Sequence, residues 1–512
     1  MRFQARSILL ISCAIAALAA ALAATVSPAA DPAAASYDPI VFELRKNHGV
    51  GFVTNPCRTL LRHQPETMVA GVALLDYNND GWLDIFVVNG AKMPSLDKSD
   101  PVFWNRLYRN NGDGTFTDVT EKAGVRGKGY DAGVAAADYD NDGRLDLFVS
   151  NYCIWDPATE PTCGPRGLND YCHPRYYRGL PNSLFHNNGD GTFTDGSRAS
   201  GIRKSIGKGM GTGIADFDGD CLTDIFVAND TEPNFLFHNL GGGKFEEIGF
   251  AAGIAYPEAG APLSGMGADA NDIDDDGRPD IFLTALANET MPIYHNQGNL
   301  RFFEVTAQAG AASISSTRSG WSNAIVDFNN DGRKDLFVCG GDVMDAEGDF
   351  RERVPQTNLV LANLGGLRFV DATPGAGPDF STKKAVHRGG AFGDLDNDGR
   401  IDAVVTDLHG PIEIWRNVSP TPNHWITLSL QGTRSNRDAI GAKLKLVTPS
   451  GARYSLVNTA VGYGSASDRR VHFGLGKDER ILKIEITWPS GTTQLLENVA
   501  VDQFLSVKEP AS

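Results

Sequence analysis

Residues 138–146 read DYDNDGRLD, and this stretch decides the fold because it recurs along the chain. Aspartates alternate at its positions 1, 3 and 5, and the glycine at position 6 lets the backbone turn sharply. A further aspartate stands at position 9, and the backbone carbonyl of position 7 can face the same centre. Hard oxygen donors of this kind are the ligands that Ca²⁺ prefers. The stretch therefore predicts a calcium loop.

Five further stretches repeat the pattern: DYNNDGWLD at 76–84, DFDGDCLTD at 216–224, DIDDDGRPD at 272–280, DFNNDGRKD at 327–335 and DLDNDGRID at 394–402. An isolated acidic turn is readily explained by solvation, whereas six copies at spacings of 55 to 78 residues predict one structural unit per period. The sequence thus predicts up to six Ca²⁺ sites. The third is doubtful because Cys221 stands where the other loops have glycine, which favours weaker binding or a different turn.

The candidate metal ligands are the residues at positions 1, 3, 5, 7 and 9 of each loop, with position 7 acting through its carbonyl. They are Asp76, Asn78, Asp80, Trp82, Asp84, Asp138, Asp140, Asp142, Arg144, Asp146, Asp216, Asp218, Asp220, Leu222, Asp224, Asp272, Asp274, Asp276, Arg278, Asp280, Asp327, Asn329, Asp331, Arg333, Asp335, Asp394, Asp396, Asp398, Arg400 and Asp402.

The loops join strands and not helices. An EF-hand needs a glutamate at position 12 and a helix on each side, but Val149 occupies that position and both flanks are small-residue or β-branched runs. The second unit predicts four strands, at 133–138, 146–150, 183–187 and 192–195, the last two joined by the turn NNGDG. Each unit therefore reads as a four-stranded sheet.

The last unit lacks its fourth strand before the Pro-rich break at 419–422. The segment Ile40–Leu44 can supply it by pairing with Ile412–Trp415, which would join the two ends of the array and remove exposed sheet edges. The prediction is an all-β chain with a β-propeller over 40–417. Six motif-bearing four-stranded blades are counted, and a diverged seventh remains an alternative.

After Pro422 no acidic loop recurs. Strand-like runs separated by turn residues predict a small all-β C-terminal domain over about 423–509: HWITLSL, AKLKLVT, YSLVNTAV, RVHFGLG, ILKIEITW and FLSVKE.

The N-terminus predicts export. Arg2 and Arg6 precede an apolar run from Ile8 to about Ala24, which is typical of a secretory signal peptide within residues 1–30, although an uncleaved anchor is an alternative. We expect a secreted, periplasmic or outer-surface protein with no membrane span after signal removal. A net charge of −17 argues against a nucleic-acid partner, because a polyanion requires a basic face.

Six cysteines remain beyond the signal segment. Three lie in an insertion at 152–181, and an exported chain with an even count predicts disulfides among Cys57, Cys153, Cys163 and Cys172. Zinc binding, with His173 as a fourth ligand, is the rival interpretation, although no CxxC pair is present.

The motifs also carry a family resemblance. Residues 40–417 resemble the FG-GAP/VCBS repeat proteins, whose blades carry DxDxDGxxD calcium loops as integrin α-subunit propellers do. The integrin-type propeller has seven blades, so a count of six departs from it. GTRSNRDAIGAKLKL, GYGSASDRRVHFGLG and WPSG resemble the ASPIC/UnbV domain, and the combination resembles bacterial relatives of cartilage acidic protein.

The leading functional interpretation is a noncatalytic, calcium-binding scaffold for binding or adhesion, with an unidentified extracellular or cell-surface protein or carbohydrate as partner. The insertion carries residue types common at contact surfaces, although they can equally pack over a blade. They are Trp155, Tyr171, Arg175, Tyr176, Tyr177 and Arg178. Arg434, Asn436, Arg437 and Asp438 in the C-terminal domain form either a polar recognition site or a turn cap.

The alternative is a secreted or periplasmic propeller enzyme, a lyase or dehydrogenase acting on a carbohydrate or small molecule. No GxSxG, HExxH or P-loop motif is present, and no catalytic residue is assigned. His387 and His409 flank the sixth loop and are the first candidates for such a role. His186, His238 and His295 share one position in successive units, so the repeat predicts a packing role for them.

Overall fold

The computed structural model describes residues 37–129, 133–164, 169–343 and 354–511. The predicted signal segment lies outside this range. Within it, no helix combines the length and the apolar character that crossing a membrane requires.

Six four-stranded antiparallel sheets form the repeat region. The first five sheets, in strand order, are the following. The first contains β2 (Val72–Leu75), β3 (Asp84–Val87), β4 (Arg106–Asn110) and β5 (Phe116–Asp118). The second contains β6 (Val134–Ala137), β7 (Asp146–Val149), β9 (Ser183–Asn187) and β10 (Phe193–Asp195). The third contains β12 (Gly209–Ala215), β13 (Asp224–Asn229), β14 (Phe235–Asn239) and β15 (Phe245–Glu247). The fourth contains β16 (Ala268–Asn271), β17 (Asp280–Leu283), β18 (Ile293–Asn296) and β19 (Phe302–Glu304). The fifth contains β20 (Gly320–Val326), β21 (Asp335–Gly340), β22 (Leu359–Asn363) and β23 (Phe369–Asp371).

The sixth sheet joins the two ends of the repeat region. It contains β24 (His387–Gly393), β25 (Asp402–Asp407), β26 (Glu413–Asn417) and β1 (Phe42–Leu44). The predicted pairing of the N-terminal strand with the last unit is confirmed, with Phe42 opposite Asn417 and Leu44 opposite Trp415.

Apolar cores lie between neighbouring sheets, as a propeller requires. One cluster unites Val72 and Ile85 of the first sheet with Val404 and Ile414 of the sixth, so the ends of the array also share a core. Similar clusters join the second sheet to the third, the third to the fourth and the fourth to the fifth. The fold of this region is a β-propeller, and the described residues contain six blades.

Short elements complete the region. A small two-stranded sheet pairs β8 (Leu180–Pro181) with β11 (Ile206–Gly207). The described α-helical turns are α1 (Thr120–Ala123), α2 (Ser197–Ser200), α3 (Gly249–Ala252), α4 (Ala312–Ser315) and α5 (Pro378–Thr382). The described 3₁₀ turns are Gln64–Thr67, Pro101–Phe103, Pro174–Tyr176, Ile202–Lys204 and Thr373–Gly375.

The C-terminal domain consists of two sheets packed over one core. One sheet has the order β30 (Val471–Gly476), β27 (His424–Gln431), β33 (Gln503–Lys508), and β27 runs parallel to β33. The other has the order β29 (Gly451–Leu456), β28 (Lys443–Thr448), β31 (Ile481–Thr487), β32 (Thr493–Val499). Trp488 is buried in the core between them. Strand β32 was missed in the sequence because TQLLENV lacks the β-branched alternation of its neighbours.

A loop of the C-terminal domain enters the axis of the propeller. In this plug, residues 459–468, Gly462 exchanges backbone hydrogen bonds with Ala268 of β16, and Ala466 does so with β2. Tyr463 N donates to Ser322 Oγ of β20, and the Tyr463 hydroxyl donates to the carbonyl of Met68 at 2.5 Å. The plug thus bonds to the innermost strands of several blades, and propeller and C-terminal domain form one compact unit.

One of the predicted disulfides is present. Cys163 and Cys172 are bonded inside the insertion, which rules out the zinc interpretation for these two residues. The expectation of a second bond is wrong, because Cys57 and Cys153 are free thiols. The thiol of Cys57 instead accepts a hydrogen bond from Met93 N.

Candidate metal centres

The six acidic loops share one backbone conformation, which hydrogen bonds from the loop itself stabilise. In the loop of Asp138, its two carboxylate oxygens accept from the N–H groups of Asp142 and Gly143. The carboxylate of Asp146 accepts from Tyr139 N at position 2 and from Asn187 N on the third strand. The equivalent bonds occur in the other loops. The position-9 aspartates, all buried, are Asp84, Asp146, Asp224, Asp280, Asp335 and Asp402.

Carboxylates converge in the second, third and fourth loops. Oxygens of Asp138, Asp140 and Asp142 lie within 4.8 Å of one another, and the same is true of the carboxylates of the third and fourth loops. In these three loops the strand–loop–strand fold thus brings carboxylates from the predicted ligand positions together.

Buried oxygens without partners show that these clusters fit a cation. In the part of the chain that the structure describes, Oδ1 of Asp140, Asp274 and Asp396 is buried and accepts no hydrogen bond. All three occupy position 3 of their loops. A buried carboxylate oxygen left unpaired is costly, and a metal ion is a partner that would satisfy it.

Histidines adjoin three of the loops. His186 Nδ1 lies 3.2 Å from Asp140 Oδ2 and 3.3 Å from Asp146 Oδ1, and His238 and His295 take equivalent positions. The sequence interpretation of these residues as packing side chains is therefore incomplete, because they face the carboxylates. In the sixth loop Arg416 takes this position, with Nε 2.7 Å from Asp396 Oδ2.

The third loop keeps the shared turn despite its cysteine. Cys221 has φ +69°, in the left-handed region that glycine occupies in the other loops, and its N–H donates to Asp216 Oδ2 as expected. The expectation of a different turn is thus wrong. What distinguishes this loop is Lys443 of β28, whose ammonium lies 2.6 Å from the same Asp216 oxygen. A protein cation therefore competes for this carboxylate.

The loops are linked to one another around the ring. Asn397 of the sixth loop donates to the carbonyl of Gly81 in the first at 3.3 Å, and Asn330 of the fifth donates to Gly399 of the sixth at 2.9 Å. Asn110 of the first blade donates to the Leu395 carbonyl at 2.9 Å, again bridging the first and last blades. The loops thus form a connected layer on one face of the propeller.

The C-terminal domain covers this layer. In addition to the Lys443 contact, Tyr454 N donates to Asp275 of the fourth loop at 3.0 Å. His472 Nε2 is 2.7 Å from Asn330 of the fifth loop, and Arg470 donates to Asn397 of the sixth at 3.1 Å. Four of the six loops are therefore bonded to the second domain.

Burial and mutual repulsion raise the carboxyl pKa values of the loops. Burial, with a smaller effect of Asp142, raises the pKa of Asp138 to about 6. Burial likewise raises the pKa of Asp272 and of Asp394 to about 7, with Asp275 and Asp398 respectively adding to the effect. In the metal-free protein, these three carboxyls therefore keep their protons to a higher pH than a free aspartate does.

These shifts predict how the metal-free protein responds to pH. The unfolded chain releases these protons near pH 3.8, whereas the folded chain keeps them up to about pH 6 to 7. Because the folded state binds more protons, its free energy of unfolding should fall as the pH rises from about 4 to about 7. We expect chelator-treated protein to melt at a lower temperature at neutral than at acidic pH, as measured by calorimetry. A melting temperature that rises over this range would contradict the expectation.

The other candidate polar residues have structural partners. His387 is buried, with its ring nitrogens 2.7 Å from Gly340 O and 3.1 Å from Glu413 Oε2, so it is not available to a substrate. His409 lies between β25 and β26, at the end of the blade away from the acidic loop, and burial together with nearby Arg58 and Arg388 lowers its pKa to about 4.

The C-terminal motif forms a turn cap. Asn436 is fully buried and bonds to both N and O of Ile440. Glu509 accepts hydrogen bonds from the N–H groups of Thr433 and Arg434, which outweigh the opposing effect of burial and help lower the pKa of Glu509 to about 2. The turn-cap interpretation of this motif therefore accounts for Asn436.

The insertion divides into buried and exposed residues. Tyr177 is buried and its hydroxyl donates to Glu160 at 2.9 Å, and the Tyr171 hydroxyl donates to Glu66 at 3.1 Å. Tyr176 is 55% exposed, and the Arg175 guanidinium lies 5.2 Å from its ring centre. Arg178 is also exposed. Packing explains the first two residues, whereas the other three remain on the surface.

Comparison with known proteins agrees with this architecture. Residues 65–149, 216–283 and 272–338 match the FG-GAP-like repeat, and residues 432–512 match the ASPIC and UnbV domain. The chain is an FG-GAP-repeat β-propeller protein with a C-terminal ASPIC/UnbV domain.

Its curated relatives include cartilage acidic protein 1. The mouse protein (Mus musculus) is 27% identical over 453 residues, covering 86% of this chain and 64% of the relative. The human protein (Homo sapiens) is 27% identical over 452 residues, covering 86% and 62%. The match thus spans less than two thirds of the length of these relatives. Among solved structures, an Agrocybe aegerita lectin that recognises non-reducing terminal N-acetylglucosamine aligns with 70% of this chain and 83% of its own, at 18% identity and a TM-score of 0.33.

Proposed function

We propose that the chain is an exported, noncatalytic scaffold that Ca²⁺ stabilises and that binds an extracellular or cell-surface protein or carbohydrate. Calcium suits the loops because the predicted ligands are all oxygens, several of them carboxylates, with one backbone carbonyl predicted for each loop. The unpaired buried oxygens of Asp140, Asp274 and Asp396 support a bound cation. Export is supported by the N-terminal signal pattern and by the Cys163–Cys172 disulfide, which is stable in an oxidising compartment.

The proposal depends on a difference between the two faces of the propeller. On one face, the C-terminal domain is bonded to four of the six acidic loops. The insertion connects β7 to β9, and since β7 runs away from its acidic loop, the insertion leaves from the opposite face. There Arg175, Tyr176 and Arg178 are exposed, and these are residue types enriched at contact surfaces. A rigid ring that presents a long loop on one face is a common arrangement for binding.

Binding to intact cells of the source organism and to a glycan array tests the proposal. We expect labelled mature protein to bind in calcium buffer, and the double substitution Tyr176→Ser with Arg178→Ser to weaken binding at least about tenfold, since central aromatic and arginine contacts carry about 2 kcal/mol or more. Phe250→Ser is the matched control, because Phe250 is 81% exposed on another blade. Equal binding by the double variant and the parent would reject the insertion as the contact surface.

A second test addresses the third loop. Replacing Lys443 by methionine removes the cation beside Asp216 and keeps the length of the side chain. We expect the variant to bind one more calcium ion per chain than the parent at equilibrium with about 1 mM calcium, as measured by elemental analysis after equilibrium dialysis. Lys445→Met on the same strand is the control, because that ammonium faces the Tyr454 ring and no acidic loop. An unchanged calcium content in the Lys443 variant would show that the lysine does not compete with the metal.

A further inference from the structure

A cavity of about 270 Å³ opens at the end of the propeller axis on the insertion face. The plug forms one wall, with Tyr463 and Gly464, and the insertion forms another, with Tyr152 and Trp155. Its size is close to that of small-molecule sites, which usually begin near about 300 Å³.

The lining is apolar and uncharged. Aromatic rings and the thioethers of Met68 and Met210 surround the space, and none of the described lining residues carries a charge. Methionine side chains adapt to the shape of a ligand. A charged ligand would lose its hydration without gaining an ionic partner here, so the cavity favours an uncharged molecule with an apolar body.

Two residues of the lining each carry a buried polar atom that lacks a hydrogen-bond partner among the residues that the structure describes. The two atoms are Oε1 of Gln64 and Nε1 of Trp155. Gln64 is 6% exposed, and its Nε2 donates to the Tyr152 hydroxyl at 3.4 Å. That hydroxyl in turn donates to Asp230 Oδ2 at 2.6 Å. This chain of bonds orients the amide and leaves its oxygen without a hydrogen-bond donor among the described residues.

We propose that this cavity binds a small uncharged ligand with an apolar body, an acceptor for the indole N–H of Trp155 and a donor for Oε1 of Gln64. Such a ligand would satisfy both buried atoms, each of which otherwise bears a desolvation cost. This inference rests on the proposed binding role of the chain and names one of its ligand classes. It is a site separate from the exposed arginines and Tyr176.

Benzamide is the probe, because it joins an amide donor and acceptor to an apolar ring. We expect saturation-transfer NMR on the calcium-loaded mature protein to detect benzamide with a millimolar dissociation constant, as suits so small a ligand. Toluene, which lacks both polar groups, and benzoate, which carries a charge, should bind about threefold to tenfold more weakly or not at all. Absence of benzamide binding, or equal binding of toluene, would overturn the proposal.

Substitutions test whether benzamide binds in this cavity. Trp155→Phe removes the N–H and keeps a ring, so it should weaken benzamide binding about threefold to tenfold and leave toluene unchanged. Trp104→Phe is the control, because Trp104 packs against Arg106 and Arg126 away from the cavity. Leu180→Trp adds volume to the lining and should abolish the signal. Unchanged benzamide binding by both cavity variants would refute the site. Loss of cell binding with intact benzamide binding would reject only the proposed adhesion role.

Discussion

Chelation of calcium should lower the melting temperature of the mature protein strongly. If each site resembles an extracellular calcium module, with a dissociation constant on the order of 10⁻⁴ M, free calcium near about 1 mM stabilises the folded chain by about 1.4 kcal/mol per site. The five loops without Lys443 would together contribute about 7 kcal/mol, which is comparable to the stability of an ordinary domain. Without the ion, carboxylates such as Asp138, Asp140 and Asp142 repel one another at short range.

Calorimetry in millimolar calcium and in excess chelator measures the stabilisation by calcium. Variants that disable a single loop measure the share of each site. Asp394→Ala should remove about one site's share, whereas Asp216→Ala should matter less to the calcium response because Lys443 already neutralises that carboxylate. Magnesium in place of calcium is the control, since Mg²⁺ demands a smaller octahedral site and retains its waters. Equal melting temperatures with calcium and with chelator would contradict the expectation.

Removal of the N-terminal strand should destabilise the whole ring and not one blade. Deleting residues 38–53 takes away β1, exposes the edge of β26 and removes Val50 and Phe52 from the core shared by the first and sixth blades. We expect the truncated protein to be unfolded or to melt far below the parent in one transition. A truncated protein that melts like the intact one would show that the end-to-end pairing contributes little.

Phe42→Ala tests the packing of the N-terminal strand β1 with a single substitution instead of a deletion. Phe42 is 1% exposed, and its ring lies 5.0 Å from Phe380 and 5.4 Å from Phe328. Truncation of a buried aromatic residue typically costs about 3–5 kcal/mol. Phe303→Ala is the matched control, because Phe303 is 61% exposed and should change the free energy of unfolding by less than about 0.5 kcal/mol. Chemical denaturation compares the two variants.

Local sequence patterns predicted the propeller well because each blade repeats the same strand–loop–strand pattern. Alternating aspartates and the position-6 glycine specify the turn, and the flanking alternation specifies two strands. Strand β9, Ser183–Asn187, falls where the pattern placed it. The end-to-end pairing was predictable too, because one unit lacked a strand and one unpaired strand-like segment remained.

Contacts between distant parts of the chain were not predictable in this way. The plug contains the sequence GYGSAS, in which small residues between two strands gave the only signal. The role of these small residues depends on a contact with a distant strand. A Cβ on Gly462 would lie 1.9 Å from Ser322 Oγ, so only glycine fits this close approach to the axis. The contact between Lys443 and Asp216 was unpredictable for the same reason. The two residues are 227 positions apart, and the sequence around Lys443 contains no pattern that indicates its role.

The turn at Cys221 shows how tertiary context overrides a local rule. A side chain at positive φ costs about 1 kcal/mol relative to glycine, yet the loop keeps its conformation through the same carboxylate–backbone hydrogen bonds as its neighbours. The third loop differs in sequence from the other loops at Cys221. The feature that we expect to affect metal binding is instead Lys443 of the C-terminal domain.

The calcium content of the purified mature protein tests the central claim most directly. After equilibrium dialysis against about 1 mM calcium, elemental analysis of the protein, corrected for the dialysate, should find about five bound calcium ions per chain, one for each loop without a competing lysine, and little magnesium or zinc. A protein that retains no calcium, with a melting temperature indifferent to chelator, would contradict the account of the acidic loops as metal centres.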